Sequence, residues 1–252
     1  MNKIKMALLV AGIFTVTFAS KAQTIEEVLQ KAEQLKLDFV DSPALLMYEK
    51  AYAMDSTNFE AIWNVSYMNT RIGWLQPNKT IRVNFYKTAL VYAQKAIEMK
   101  PEDPDANFEL GASIGGAAEK DSPKSRITSA YEVKEYFDHT VEHDPENHFA
   151  WYSLGRWHYE IDNASSIEKA FANAFFGGLP DGASTVKAIE AYKNAIKIFP
   201  EYVVYYFDFA RALKANDQKE AAVKMLRKAM TLPEQAPEEK HYKEKCQKLL
   251  DK

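Results

Sequence analysis

Apolar residues recur along most of the chain at spacings of three and four, the period of an α-helix that buries one face. The clearest stretch covers residues 203–236. It contains two runs of large and small apolar residues: Tyr206, Phe209, Ala210 and Leu213, then Ala222, Leu226 and Ala229. Alanine at fixed positions allows two helices to approach closely. The pattern therefore predicts a pair of antiparallel helices in this stretch.

The second run recurs four times upstream in the same phase. The copies are Ala44, Tyr48 and Ala51; Ala89, Ala93 and Ala96; Val133, Phe137 and Thr140; and Ala188, Tyr192 and Ala195. Three of these copies are followed by a proline, which stops a helix. Five copies in phase resemble the tetratricopeptide repeat (TPR), a helix–turn–helix unit of about 34 residues. The resemblance implies an all-α solenoid of antiparallel helix pairs.

The copies end at unequal intervals, which predicts insertions within the repeats. Only the last interval has the length of the repeat, and the three units before it carry 11, 10 and 21 additional residues between their two helices. Helix breakers lie in these insertions, and we interpret Gly115-Gly116 and Gly177-Gly178 as hinges or turns. Residues 167–176 in the longest insertion predict a short extra helix. We therefore expect long intra-repeat insertions in the solenoid.

The first 22 residues have the features of a signal peptide. Lys3 and Lys5 precede an apolar run over residues 6–19, and Ser20 and Ala22 are small residues at a cleavage site. The run is too short to span a membrane comfortably. We expect a periplasmic or secreted protein of a bacterium, and an uncleaved inner-membrane anchor is the alternative.

The predicted organisation is a signal peptide followed by one helical-repeat domain. Thr24 and Glu27 have the spacing of a capping box that opens the first helix of the domain. A charged C-terminal helix would close the stack, since the end of a solenoid needs a polar outer face. The predicted segments are 1–22 for the signal, 23–252 for the domain, 24–58, 59–103, 104–147, 148–202 and 203–236 for its units, and 237–252 for the capping helix.

Net charge and cysteine content exclude some functions and one source of stability. The formal charge of −3 becomes −6 once residues 1–22, with three lysines and no acid, are removed. This balance argues against binding to nucleic acid or to anionic membranes, both of which need a basic face. We therefore expect membrane contact through the signal peptide only. The single cysteine, Cys246, cannot form an intramolecular disulfide.

Residues 62–250 also resemble a known family. The likeness is carried by Arg126-Ile127, Ala130-Tyr131, Lys134 to Phe137, Asp144-Pro145, Leu154-Gly155, Trp157, Tyr159, 170–176, Ala188-Ile189 and Tyr192. These residues resemble the regulator of microtubule dynamics family, a divergent tetratricopeptide group. The resemblance implies a helical-repeat fold without catalysis. We do not expect microtubule binding, because an exported bacterial protein would not meet a tubulin polymer.

One segment has the form of a catalytic metal motif. His139, Glu142 and His143 form H-x-x-E-H, in which two histidines on one helix face bind zinc and the glutamate acts as a base. However, Asp144-Pro145 ends this helix at once, and histidines are favoured at helix ends by the helix dipole. We therefore expect exposed helix-end histidines and neither catalytic residue, metal nor cofactor. A zinc hydrolase is a remote alternative.

In the repeat that the sequence resembles, fixed positions of each first helix face the concave surface. Aromatic residues and arginine at such positions are typical of interaction hot spots. We therefore predict a binding groove, and the alternative is that several of its rings are buried against the insertions. The predicted groove residues are Trp63, Tyr67, Arg71, Phe108, Phe149, Tyr152, Arg156, Tyr159, Phe207, Arg211 and Lys214.

The leading functional hypothesis is a non-catalytic scaffold of the cell envelope that binds a protein or peptide in this groove. Arginine would bind a carboxylate of the partner, and the rings would stack on apolar side chains. The alternative is a carrier of a lipid or another apolar small molecule, in a pocket closed by the insertions. The apolar residues for that pocket would be Phe171, Phe175, Phe176 and Leu179.

Overall fold

The computed structural model describes residues 23–120 and 122–251. Over these residues the chain forms twelve α-helices and one short 3₁₀-helix, without a β-strand. The predicted all-α fold is therefore confirmed. The predicted signal peptide, residues 1–22, lies outside the described residues. Within the described ranges, no helix combines the length and the apolar character needed to cross a bilayer.

The helices form five consecutive antiparallel pairs and a final single helix. The fourth pair is interrupted by one additional helix, and the 3₁₀-helix follows the first helix of the third pair. The pairs are α1 (Ile25–Leu37) with α2 (Asp41–Met54), α3 (Phe59–Leu75) with α4 (Lys79–Met99), α5 (Pro104–Ala117) with α6 (Pro123–His143), α7 (His148–Asp162) with α9 (Thr185–Ile198), and α10 (Val203–Ala215) with α11 (Lys219–Thr231); the 3₁₀-helix is Ala118–Lys120, the additional helix is α8 (Ser166–Phe176), and the last is α12 (Glu239–Leu250).

Side-chain caps determine where many of these helices begin. Thr24 and Glu27 form the predicted capping box at α1. Asn58, Asp103 and Asn147 precede α3, α5 and α7, and the side chain of each accepts a hydrogen bond from the first turn of its helix. Such a cap satisfies backbone N–H groups that have no partner inside the helix. The first helices of the middle three pairs therefore start at positions encoded locally.

The small residues of the repeat lie between the paired helices. Ala188, Ala195 and Ala229 are 0% exposed, and Ala222 is 4% exposed. The ring of Tyr192, from the same run, is also buried, and it packs beside Gly155 of α7. A β-carbon at Gly155 would lie 2.7 Å from that ring. The helix register predicted from these positions is therefore the one observed.

The first two insertions differ from the expected loops. Their additional residues lengthen helices, so that α3 has 17 residues while α4 and α6 each have 21. The loop from α3 to α4 contains only residues 76–78. The third insertion does contain the expected extra helix, α8, which ends at Gly177 in the left-handed region with φ 77°.

Gly115 and Gly116 do not form the predicted hinge or turn. Both lie inside α5, and the helix continues to Ala117. A β-carbon at Gly116 would lie 2.2 Å from the ring of Tyr86 on α4, whereas one at Gly115 would meet nothing closer than 3.7 Å. Position 116 thus requires a glycine because an aromatic ring approaches the helix backbone closely there.

A carboxyl group is buried in the core between α3 and α5. Glu109 is 1% exposed, and the hydroxyl oxygen of Ser66 lies 3.4 Å from its Oε2 atom. Burial raises the pKa of Glu109 to about 8, since a low-dielectric surrounding disfavours the charged form. Glu109 is therefore mostly protonated near neutral pH.

The two glycines of α5 allow a matched test of packing. Through helix propensity alone, replacing either glycine by alanine contributes about 0.5–1 kcal/mol to stability. We expect Gly115→Ala to show this gain in the free energy of unfolding measured in urea. Gly116→Ala should instead lower that free energy by about 1–3 kcal/mol, because the β-carbon overlaps the Tyr86 ring. Equal stabilisation of both variants would contradict the observed contact.

A pH series tests the buried carboxyl. Between pH 4.5 and 8 the folded protein keeps the proton of Glu109 while the unfolded chain loses it, so the free energy of unfolding falls as pH rises. The slope should be roughly 1 kcal/mol per pH unit. Glu109→Gln removes this contribution and leaves those of other groups, so the variant should gain stability relative to wild type as pH rises. If the free energies of unfolding of wild type and Glu109→Gln, measured in urea, change equally with pH over this range, Glu109 is not a buried acid with a raised pKa.

Candidate binding site on the inner surface

The inner surface is formed by the facing sides of α3, α5, α7 and α10, where the predicted groove residues lie. The structure gives these residues very different exposures. Arg71, Phe108 and Tyr152 are buried; Trp63, Tyr67, Phe149, Tyr159, Phe207 and Arg211 are half-buried; and Arg156 and Lys214 are exposed. The predicted residues therefore do not form one open wall.

Part of the inner surface is filled by its own aromatic rings. The ring centroid of Phe149 on α7 lies 6.2 Å from that of Tyr67 on α3 and 6.3 Å from that of Phe108 on α5. The centroid of Trp63 is 6.4 Å from that of Tyr67. Rings of the second, third and fourth pairs thus pack together. The curvature of the stack is tight enough to bury residues expected to face a ligand.

Arg71 binds carboxylates of its own chain. Its Nε atom lies 2.7 Å from Asp41, and its Nη1 atom lies 3.6 Å from Glu238. The side chain of Arg71 is 7% exposed. Burial raises the pKa of Asp41 above its ordinary value, and the neighbouring guanidinium opposes this shift. The prediction that Arg71 is available to a partner is therefore wrong, because its side chain is buried and paired with two carboxylates of its own chain.

The C-terminal helix crosses from α10 to α3. Tyr242 of α12 stacks on Trp74 of α3, with ring centroids 6.0 Å apart and an interplanar angle of 25°. Tyr242 also makes an edge-on contact with Phe207 of α10, with ring centroids 5.4 Å apart. Tyr242 and Trp74 were not predicted as inner-surface residues. The sequence feature that points to Tyr242 is its spacing from Glu238, which places an acid and an aromatic ring one helical turn apart.

Arg211 is also paired internally. Its guanidinium lies 2.8 Å from Asp208 and 3.6 Å from Glu160. It also lies over the ring of Tyr159, 4.8 Å from the centroid. Asp208 is 4% exposed and accepts a second hydrogen bond, at 2.7 Å, from the hydroxyl of Tyr152. Arg211 therefore satisfies a buried carboxylate of the chain itself.

Arg156 differs from the other two arginines of the inner surface. It is exposed on α7, and none of the ion pairs among the described side chains includes it. Its guanidinium carbon lies 6.0 Å from the ring centroid of Tyr152. Tyr152 and Asp208 hold the pKa of Arg156 above its ordinary value. Arg156 thus places a permanent positive charge beside aromatic rings at the accessible part of the inner surface.

The H-x-x-E-H segment forms a different group from the one its sequence indicates. His143 ends α6 and His139 lies one turn before it, with ring centroids 4.0 Å apart. A carboxylate from the loop before α5, Glu102, lies 3.1 Å from His139. Glu142 is exposed and is not part of this group. The three side chains that could share a metal ion are therefore Glu102, His139 and His143.

The residues expected to close a lipid pocket lie on or beside α8, which packs against α6. Phe171 contacts Phe175 and Phe176 on the same helix, and Phe175 is 70% exposed. A cleft of about 350 Å³ lies between α7 and α8, and Leu179 lines it together with polar and charged side chains such as Asp162 and Lys169. α8 therefore contacts the second helix of the preceding pair, whereas the inner surface is formed by first helices.

Comparisons with known proteins agree with the repeat architecture. A thermophilic TPR protein from Thermus thermophilus has a similar solved structure, with a TM-score of 0.60 and 13% sequence identity. The match covers 91% of this chain and 100% of that one. This likeness confirms the tetratricopeptide-like fold.

Sequence relatives point to one family. Regulator of microtubule dynamics protein 2 from Bos taurus is 25% identical over 232 residues, which are 89% of this chain and 55% of that protein. Regulator of microtubule dynamics protein 1 from the same organism is 24% identical over 235 residues, which are 92% of this chain and 73% of that protein. The chain thus spans about half the length of the first relative and about three quarters of the second.

A family model described as "Regulator of microtubule dynamics protein 1-3" matches residues 23–252. This range contains all the helices of the structure. The family resemblance seen in the sequence is therefore confirmed. The chain belongs to the regulator of microtubule dynamics family.

Proposed function

We propose that this chain is a non-catalytic scaffold that binds a protein or peptide on its inner surface, with Arg156 as the anchor for a carboxylate. The observation that carries the proposal is the contrast among three arginines. Arg71 and Arg211 bind carboxylates of their own chain, while Arg156 is exposed and without an ion pair among the described side chains. An arginine presents planar donors that match a carboxylate, and it stacks readily on aromatic rings.

The internal contacts of α12 indicate what chemistry such a ligand has. Glu238 reaches Arg71, and one turn later Tyr242 stacks on Trp74. A partner segment with an acidic and an aromatic side chain could make the same two contacts at Arg156 and the neighbouring rings. Binding of a helix or extended peptide in a groove is a recurring mode of recognition. We therefore propose a partner that presents an acidic–aromatic segment.

The cellular setting is proposed from the N-terminal sequence. Residues 1–22 predict export, so the partner would be a component of the bacterial cell envelope. The mammalian relatives are named as regulators of microtubule dynamics. For this chain we propose an envelope partner instead, since export would separate it from any cytoskeletal polymer.

A charge reversal tests the proposed anchor. Arg156→Glu should reduce crosslinked capture of the native partner from the envelope at least ten-fold, because a carboxylate ligand would then meet a like charge. The thermal unfolding midpoint should stay within a few degrees, since Arg156 is exposed. Arg227→Glu on α11 is the matched control, because this exposed residue undergoes the same change of charge outside the inner surface. Capture by the control should equal that by wild type.

Two outcomes would overturn the proposal. Equal capture by wild type and Arg156→Glu would show that the inner surface does not hold the partner through this charge. Stoichiometric lipid in a solvent extract of protein purified in mild buffer would support the carrier hypothesis instead.

A further inference from the structure

Three potential metal ligands meet where the second helix pair joins the third. Glu102 lies in the loop between α4 and α5, and His139 and His143 lie one turn apart at the end of α6. Each residue offers one ligand atom, and these three atoms all lie within 4.8 Å of one another. The group therefore joins two segments that are distant in sequence.

The backbone hydrogen bond of His143 leaves its ligand atom free. The Nδ1 atom of His143 lies 2.9 Å from the carbonyl oxygen of His139, to which it can donate. That bond leaves the Nε2 lone pair of His143 available, and such a backbone partner commonly orients metal-binding histidines. The Nε2 atom of His139 donates to Glu102 at 3.1 Å, and its buried Nδ1 atom has no hydrogen-bond partner among the described residues. Metal binding at this Nε2 atom would place the imidazole proton on Nδ1. Both Nε2 atoms and the carboxylate thus define one site.

The spacing is close to that of a zinc site. Bond lengths of about 2.0–2.2 Å to nitrogen and oxygen place tetrahedral ligands about 3.3 Å apart. The distance from His139 to Glu102 is already close to this value, at 3.1 Å. The carboxylate of Glu102 is 81% exposed, so it can move toward His143 without displacing packed atoms. Two imidazoles and one carboxylate form a ligand set that suits Zn²⁺.

We propose that Glu102, His139 and His143 bind one Zn²⁺ ion, which ties the α4–α5 loop to the end of α6. Two histidines at i and i+4 place both imidazoles on one helix face, and Glu102 supplies the third ligand from the neighbouring pair. The proposed role is to link consecutive repeats. Glu142, the residue that would act as a base in a hydrolase, is not part of this group. The site is independent of Arg156 and of the proposed partner.

The test is isothermal titration of ZnCl₂ into the full chain, purified without a polyhistidine tag. Wild type should bind one ion. His143→Gln and Glu102→Gln should each weaken binding at least ten-fold, because each removes one of three ligands. The matched controls are His241→Gln, which removes an exposed histidine on α12, and Glu142→Gln, which removes the same charge beside the site. Both controls should bind as wild type does.

A second readout tests the link between the helix pairs. Saturating Zn²⁺ should raise the thermal unfolding midpoint of wild type and of both controls, because it binds the folded state. The rise should be lost in Glu102→Gln. Absence of binding by wild type would overturn the proposal, as would unchanged affinity in Glu102→Gln or in His143→Gln. Weaker binding by either control would also overturn it, since the ligands would then lie elsewhere.

Discussion

The buried guanidinium of Arg71 joins the two ends of the solenoid. It contacts Asp41 at the start of α2 and Glu238 just before α12, and the side chain is only 7% exposed. Removing one partner of a buried ion pair leaves an uncompensated charge, at a cost of about 3–5 kcal/mol. This contact, together with the stacking of Tyr242 on Trp74, therefore fixes α12 against the inner surface. With α12 held there, one part of the inner surface is closed and another part, around Arg156, stays accessible.

Close packing of helices supports this closure. Gly155 lies beside the ring of Tyr192, and Gly116 lies beside that of Tyr86. At both positions a side chain would separate the helices, so Gly155 keeps the two helices of the fourth pair close and Gly116 keeps the second and third pairs close. The stack is strongly curved, since Tyr67 of the second pair meets Phe149 of the fourth. The same curvature brings Arg71 within reach of Glu238.

The helices could be predicted from sequence because their signals are local. The alanine pattern, the caps and α8 each depend on residues within about one or two turns. The contacts between distant pairs could not be predicted in this way, because they depend on curvature summed over several repeats. Local patterns therefore predict an available Arg71 and give no prediction for Tyr242 on the inner surface. The turn predicted at Gly116 is wrong because a glycine at a close contact and a glycine in a turn have the same sequence signal.

The central claim is that the chain closes its own inner surface through Arg71 and Glu238. A double-mutant cycle of Arg71→Met and Glu238→Gln, measured by urea unfolding, tests it most directly, because glutamine keeps an acceptor for the hydroxyl of Tyr202. Direct contact predicts a coupling free energy of about 1 kcal/mol or more. Additivity within about 0.3 kcal/mol would contradict the claim.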